Sequence, residues 1–344
     1  MIQATGIHLL TVPLPLEEGG LLDGTQVAYE TYGEPSGENS VVLLHDLAQS
    51  HRALGPLEGS PYQPSGWGRE LIGDKRPLDP TSQHVLSVNL LGSPFGTTSP
   101  LTEDPFTGQQ LGPALPLLTV LDMARTVAAL LRALGLKRVR AVLGVGLGGQ
   151  VALRLAALFP EMVGGVVAIG AARTLPEQLR DRIGMFHQML WLDPEYKEGF
   201  YTANEGPRKT LRKLRLEYLR MLYGRENLVA RYRDIDVAEK ALEADAEAFS
   251  ASFDANAWSL LCTAYAGCDL TEFLPKIQAK VLLIAGVSDV LAPPARVRET
   301  YHLLSAAGVN ARYHELQGAG DHGALLTETR RMHGPVRDFL RRLR

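Results

Sequence analysis

Gly144-Val145-Gly146-Leu147-Gly148-Gly149 is the stretch on which the reading of this chain turns. It follows the apolar, β-branched run Val139-Arg140-Ala141-Val142-Leu143. It precedes the helical pattern Gln150-Val151-Ala152-Leu153-Arg154-Leu155-Ala156-Ala157-Leu158-Phe159-Pro160. Strand, sharp glycine turn and helix make the setting of a nucleophile elbow, whose pattern is G-x-S-x-G. Glycines let the backbone turn tightly and let strand and helix pack closely. Such a turn exposes one central side chain beside a helix N-terminus, where backbone N–H groups can hold an oxyanion. Here the central residue is Gly146, so the frame of a serine enzyme is present and the serine is not.

On either side of the elbow, short apolar runs alternate with helical patterns, which predicts a mainly parallel sheet with helices on both faces. The expected strands are Val27–Tyr32, Val41–His45, Val85–Leu90, Val139–Leu143, Val163–Ile169, Val281–Ala285 and Ala311–Leu316. Residues Thr119–Leu136 read as an amphipathic helix, with Val120, Met123, Val127, Leu130 and Leu131 at 3–4 spacing. From about Ala172 to Cys262 the strand signals stop, and charged residues and tyrosines crowd into helical stretches such as Pro207–Tyr223 and Val237–Phe249. The expected organisation is therefore an α/β core over residues 1–171 and 263–344, with a helical cap inserted over 172–262. A cap there lies above the strand ends, where open α/β sheets bind ligands.

Composition narrows the function classes. The 344 residues are 45% hydrophobic and 21% charged, ordinary for a globular protein with a sizeable core. A formal net charge of −3 gives no reason to expect nucleic acid or an anionic membrane as partner. No apolar run is long enough to span a bilayer, and the start of the chain lacks the pattern of a signal peptide, so a cytoplasmic protein is expected. Two cysteines, Cys262 and Cys268, are too few for a disulfide framework or a cysteine-rich metal site, and read as small apolar fillers. No metal is expected.

In the α/β-hydrolase order, nucleophile, acid and histidine follow one another along the chain. After the strand Val281–Ala285 comes Gly286-Val287-Ser288-Asp289, and after the next strand comes Gly318-Ala319-Gly320-Asp321-His322-Gly323. Asp289 and His322 thus fall on successive loops at strand ends, as acid and histidine should. A carboxylate orients the imidazole and stabilises its protonated form. Asp321 is a rival acid, but its neighbouring position cannot easily reach the far ring nitrogen of His322. The pair is expected within hydrogen-bond reach, opening onto a pocket beneath the cap.

Taken together, these segments resemble homoserine O-acetyltransferases over nearly the whole chain. The family's His-Ala-Leu-Thr-Gly segment reads His45-Asp46-Leu47-Ala48-Gln49 here, and its Trp-Gly segment matches Gly66-Trp67-Gly68 through Ile72-Gly73. Its Asn-x-Leu-Gly-Ser stretch matches Asn89-Leu90-Leu91-Gly92-Ser93, continuing through Gly96-Thr97-Thr98-Ser99-Pro100. Pro105-Phe106-Thr107-Gly108 keeps the family pattern, and Phe253-Asp254-Ala255-Asn256-Ala257-Trp258 resembles the motif Phe-Asp-Ala-Asn-x-Tyr.

The resemblance implies an α/β-hydrolase fold, acetyl-CoA as co-substrate of an active member, and a place in methionine biosynthesis. It also implies a homodimer formed through the cap. It places the nucleophilic serine on Gly146, the acid on Asp289 and the histidine on His322. The oxyanion-hole N–H groups fall on Leu47 and Leu147, and the arginine facing the substrate carboxylate on Arg215. The family aspartate that meets the substrate amino group falls on Gly323.

Glycine cannot carry an acyl-enzyme, and loss of a triad nucleophile costs on the order of 10⁶ in turnover. Ser93 and Ser99 read as turn or capping residues. Three readings remain. The chain is a catalytically impaired paralogue, a pseudoenzyme that binds a small molecule such as an amino acid or acyl-CoA. Alternatively, it is a non-covalent enzyme using the Asp289–His322 pair as general base. In the third reading it is an acyltransferase studied as a nucleophile variant. On this reading of the sequence, Gly146→Ser restores the hydroxyl without a steric objection. A dinucleotide-binding enzyme fits poorly, because the glycines run G-x-G-x-G-G.

Overall fold

The computed structural model describes residues 3–55, 66–105, 107–202, 205–317 and 321–343. Phe106 and the loop residues Gly318, Ala319 and Gly320 of the sequence reading lie outside them. The strands are β1 (Gln3–Leu9), β2 (Leu14–Pro15), β3 (Leu21–Leu22), β4 (Gln26–Tyr32), β5 (Ser40–Leu44) and β6 (His84–Val88). They continue with β7 (Ala141–Val145), β8 (Gly165–Ile169), β9 (Lys280–Gly286) and β10 (Ala311–Leu316). All seven expected strands are present, shifted by no more than a few residues at their ends. Among the described residues, eight of the ten strands form one sheet in the order β1-β4-β6-β5-β7-β8-β9-β10. Pairing is antiparallel at β1/β4 and β4/β6 and parallel from β6 onward.

Strands β5, β6, β7 and β8 are buried at every position. Continuous apolar runs suit this place, since a parallel strand is covered on both faces. Strand β1 escapes the sequence reading for the converse reason. It is an edge strand whose Ile7 and Leu9 stay exposed, so no uninterrupted apolar run announces it.

Helix α1 (Val120–Ala133) starts where Thr119 and Asp122 form a reciprocal capping box. Helix α2 (Leu147–Leu158) begins directly at Gly146 and packs on β7 and β8. Between β8 and β9 the chain is helical: α3 (Glu177–Trp191), α4 (Arg208–Leu222), α5 (Arg225–Tyr232), α6 (Ile235–Ser252) and α7 (Ala255–Gly267). Helix α7 carries this segment past residue 262, with Cys262 and Cys268 buried as free thiols. The core closes with α8 (Pro294–Ala306), α9 (His322–Thr327) and α10 (His333–Arg341). The result is the α/β-hydrolase fold, a mostly parallel sheet with helices on both sides.

Candidate active site

Sheet register brings the site together. In the parallel pair β5/β7, Leu44 lies opposite Gly144. Two residues beyond this pair, Asp46 and Gly146 therefore emerge side by side. Gly146 takes φ 52° and ψ −116°, a positive-φ corner that favours glycine. Its N–H donates to the Ile169 carbonyl at 2.9 Å, which ties the corner to the end of β8.

The space over this corner is filled by Asp46. A Cβ on residue 146 would stand 2.0 Å from Asp46 Oδ1 and 3.1 Å from His322 Nε2. The Leu147 N–H donates to Asp46 Oδ1 at 3.0 Å, and the Leu47 N–H also bonds the carboxylate. Both amides expected to hold an oxyanion thus hold a side chain of the protein itself. Tyr218, on α4, donates its hydroxyl to Asp46 Oδ2 at 3.3 Å. The loop carrying Asp46 is fixed by buried His45. Its Nε2 accepts the Leu90 N–H at 3.0 Å, which leaves Nδ1–H to donate to the Asp46 carbonyl at 2.8 Å. Burial pushes the His45 pKa down to about 4, so the ring is neutral.

Asp289 and His322 meet. His322 Nδ1–H donates to Asp289 Oδ2 at 2.7 Å. Asp289 Oδ1 accepts the N–H groups of Leu291 and Ala292, which holds the carboxylate in place. On the other side of the ring, His322 Nε2 lies 3.4 Å from Asp46 Oδ2 in an ion pair that is out of line for a hydrogen bond. Burial alone would lower the His322 pKa, but the carboxylates of Asp289 and Asp46 outweigh it and raise the value to about 10. Burial likewise works against ionised Asp46, yet His322 and the two amides hold its carboxyl below the ordinary range. The raised value favours the imidazolium form of His322, whose ring has Asp289 on one side and Asp46 on the other. The open pocket expected over the pair is closed, since His322 is 0% exposed and Asp46 1%.

The remaining candidates are placed as follows. Asp321 is the N-cap of α9, accepting from Ala324 N–H, and it also binds Gly224 N–H and the Asn227 amide. It takes no part in orienting the imidazole. Arg215 is buried on α4, its Nε donating to Asp245 Oδ1 at 2.8 Å and its guanidinium 4.7 Å from the Phe249 ring. Gly323 faces Tyr223 so closely that a Cβ there would lie 2.1 Å from the ring. Ser93 Oγ donates to Asn89, and Ser99 Oγ accepts the Leu101 N–H, both local turn roles.

Asp46 is the residue that the sequence reading missed. Its signal was an acid standing where the resembled segment has alanine, in a chain whose elbow has lost its side chain. The steric expectation for Gly146→Ser is also corrected. The corner has no room for a serine while Asp46 occupies it.

Residues 64–328 match the alpha/beta hydrolase fold family. A homoserine O-succinyltransferase of Janthinobacterium sp. (strain Marseille) is 32% identical, covering 96% of this chain and 92% of that protein. A homoserine O-acetyltransferase of Methanocorpusculum labreanum is 32% identical over 98% of this chain and 73% of its own length. A serine O-succinyltransferase of Litchfieldella anticariensis is 32% identical, with 95% and 96% covered. Among solved structures, homoserine O-acetyltransferase from Bacillus anthracis superposes with a TM-score of 0.87 at 24% identity, covering 99% of this chain and 98% of that one. Esterase E22 reaches 0.88 at 20% identity, with 98% and 100% covered. At such identities these structural likenesses show the fold alone.

Proposed function

Since the chain belongs to the homoserine O-acyltransferase-like family of α/β-hydrolase-fold proteins, we propose that it is a paralogue in which the acyl-enzyme reaction is shut down. In this reading Gly146 stands at the nucleophile position. The observation that carries it is Asp46, which occupies both the space of the missing side chain and the oxyanion amides. A thioester carbonyl approaching this corner meets no hydroxyl, and its developing charge would have to displace an existing anion.

Amino-acid recognition is altered as well. Arg215, which the resemblance assigns to the substrate carboxylate, is bonded to Asp245, and Gly323 presents no carboxylate to an amino group. The general-base reading is disfavoured, because an imidazole held protonated to about 10 has no free lone pair at neutral pH. The nucleophile-variant reading is disfavoured too. A lone serine replacement does not account for an aspartate whose position requires the glycine. In this reading the chain serves a binding role, and the site itself is a buried cluster of charges that fills the place of the lost chemistry.

The test is direct. With acetyl-CoA or succinyl-CoA and homoserine or serine, the purified protein should release no CoA above background. Release at ordinary enzymatic rates, ~1 s⁻¹ or more, overturns the proposal. A homodimer through the cap belongs to the same reading. It is supported by the exposed Met185 and Trp191 of α3 and by Leu192 just beyond it, and it is checked by light scattering.

A further inference from the structure

We infer that the chain carries a second ligand site, for a soluble di- or triphosphate group, at the end of the sheet opposite the elbow. This site does not depend on whether Gly146 has ended the acyl-enzyme reaction. Arg140 directly precedes β7, and the elbow follows the other end of the same strand. At ~3.3 Å per residue, the span from Arg140 to Gly146 sets the two places roughly 20 Å apart.

A pocket of about 320 Å³ opens there, the size of a small-molecule site. Three separate pieces of chain supply its wall. The loop before β6 brings Lys75 and Arg76, the residue before β7 is Arg140, and α10 brings Arg337 and Arg341. One carboxylate, Asp79, stands among these five cations. It is turned to its own loop, where Oδ1 accepts the Thr81 N–H at 3.0 Å and the Thr81 hydroxyl at 2.8 Å. In a chain whose formal net charge is −3, such a gathering of positive charge does not follow from composition.

The hydrogen bonds of these side chains hold them without neutralising them. Arg337 Nη2 donates to the Lys75 carbonyl, and Arg140 Nη2 to the Leu340 carbonyl at 2.6 Å. Arg76 Nη1 donates to the Ile72 carbonyl at 3.2 Å, and its Nη2 lies 3.9 Å from exposed Glu70, a weak pairing. A carbonyl fixes a guanidinium in place and leaves its charge and its other N–H donors available. Among the described residues, Lys75, Arg337 and Arg341 form no ion pair. Arg337 and Arg341 stand one turn apart on α10, where like charges repel. The negative end of the helix dipole accounts for a cation in the last turn of α10, but not for Lys75 and Arg76 arriving from another loop. Lys75 takes φ 59°, a costly conformation for lysine, in the turn whose carbonyl Arg337 binds. Forked guanidinium donors match phosphate oxygens, and such charge-assisted bonds are the strong ones. A lone phosphate meets one side of this wall, whereas a di- or triphosphate reaches cations from all three. The concave shape suits a soluble ligand rather than a flat membrane surface.

The experiment titrates the full-length protein with sodium tripolyphosphate and with pyrophosphate in a calorimeter at constant ionic strength, with sulfate as control. The expected result is saturable one-to-one binding of tripolyphosphate that weakens with added salt, and no saturable binding of sulfate. Lys75→Gln and Arg341→Gln, neither of which removes a hydrogen bond of the fold, should each weaken binding about tenfold. Lys240→Gln, on the exposed face of α6, should leave it unchanged. Urea unfolding establishes that each variant is folded. Absence of saturable tripolyphosphate binding overturns the inference, as does binding that Lys75→Gln and Arg341→Gln both leave intact. Sedimentation with phosphatidylglycerol vesicles that needs Arg341, without binding of soluble tripolyphosphate, assigns the wall to a lipid surface and overturns it too. The acyl-transfer assay reads the opposite end of the sheet, so either proposal can fail alone.

Discussion

Asp46 Oδ1 and a Cβ on residue 146 would compete for one position, 2.0 Å apart. Gly146→Ser alone should therefore destabilise the protein by about 1–3 kcal/mol, from overpacking and from a side chain at positive φ. Removing the competitor should reverse this. In the double variant Asp46→Ala, Gly146→Ser the hydroxyl has room, and a serine-directed phosphonate should label it. Urea unfolding and intact mass spectrometry read both effects, and equal stability of the single variant and the parent would refute the steric account. A second expectation concerns the imidazole between its carboxylates. Because its pKa is raised to about 10, ¹⁵N NMR at pH 8 should find both His322 nitrogens protonated. A neutral tautomer at that pH would contradict the charged triplet.

At the scale of elements, α9 and the C-terminal end of α4 interlock. Gly323 lies in the first turn of α9 and leaves the space that Tyr223 fills. Gly323→Ala should cost about 1–3 kcal/mol, and the cost should shrink in a Tyr223→Ala background, a coupling that a double-mutant cycle measures. Asp321 joins α9 to the start of α5, by capping α9 and binding the Gly224 N–H and the Asn227 amide. Asp321→Ala should lose about 1–2 kcal/mol from the cap, read as a shift in denaturant midpoint. Activity in any assay should be touched less than stability, since Asp321 does not contact the imidazole.

For the whole molecule, the buried charges tie stability to pH. His322 has a folded pKa raised above its ordinary value of 6.5 to about 10. Its contribution is therefore fully present below about pH 6.5 and is lost as pH rises through 10. Asp46 is depressed, so its contribution is present at neutral pH and is lost as acid protonates it. The unfolding free energy of wild type minus that of His322→Gln should accordingly decline between pH 7 and 10. A difference independent of pH over that range would show that the two carboxylates do not hold the proton. Among the described residues no helix is long and apolar enough to cross a membrane.

How much of this was legible beforehand follows from the physics of each element. Buried parallel strands must be continuous apolar runs, so β5 to β9 could be read from the chain, and turn glycines marked the elbow. The α/β-hydrolase fold, the helical segment between β8 and β9, and the order of Gly146, Asp289 and His322 were determined by local pattern alone. Strand β1 was not, because an edge strand is not compelled to be apolar. Nor was the role of Asp46, which lies 100 positions from Gly146 in sequence and meets it only because parallel register sets Leu44 opposite Gly144. Arg215 shows the same divide. Its place on a helix was readable, but its pairing with Asp245 depends on how α4 packs against α6. Sequence determined which groups stand at the strand ends. Tertiary structure alone decided which of them share a few ångströms of low-dielectric space, and there proximity and burial set the charge each one carries.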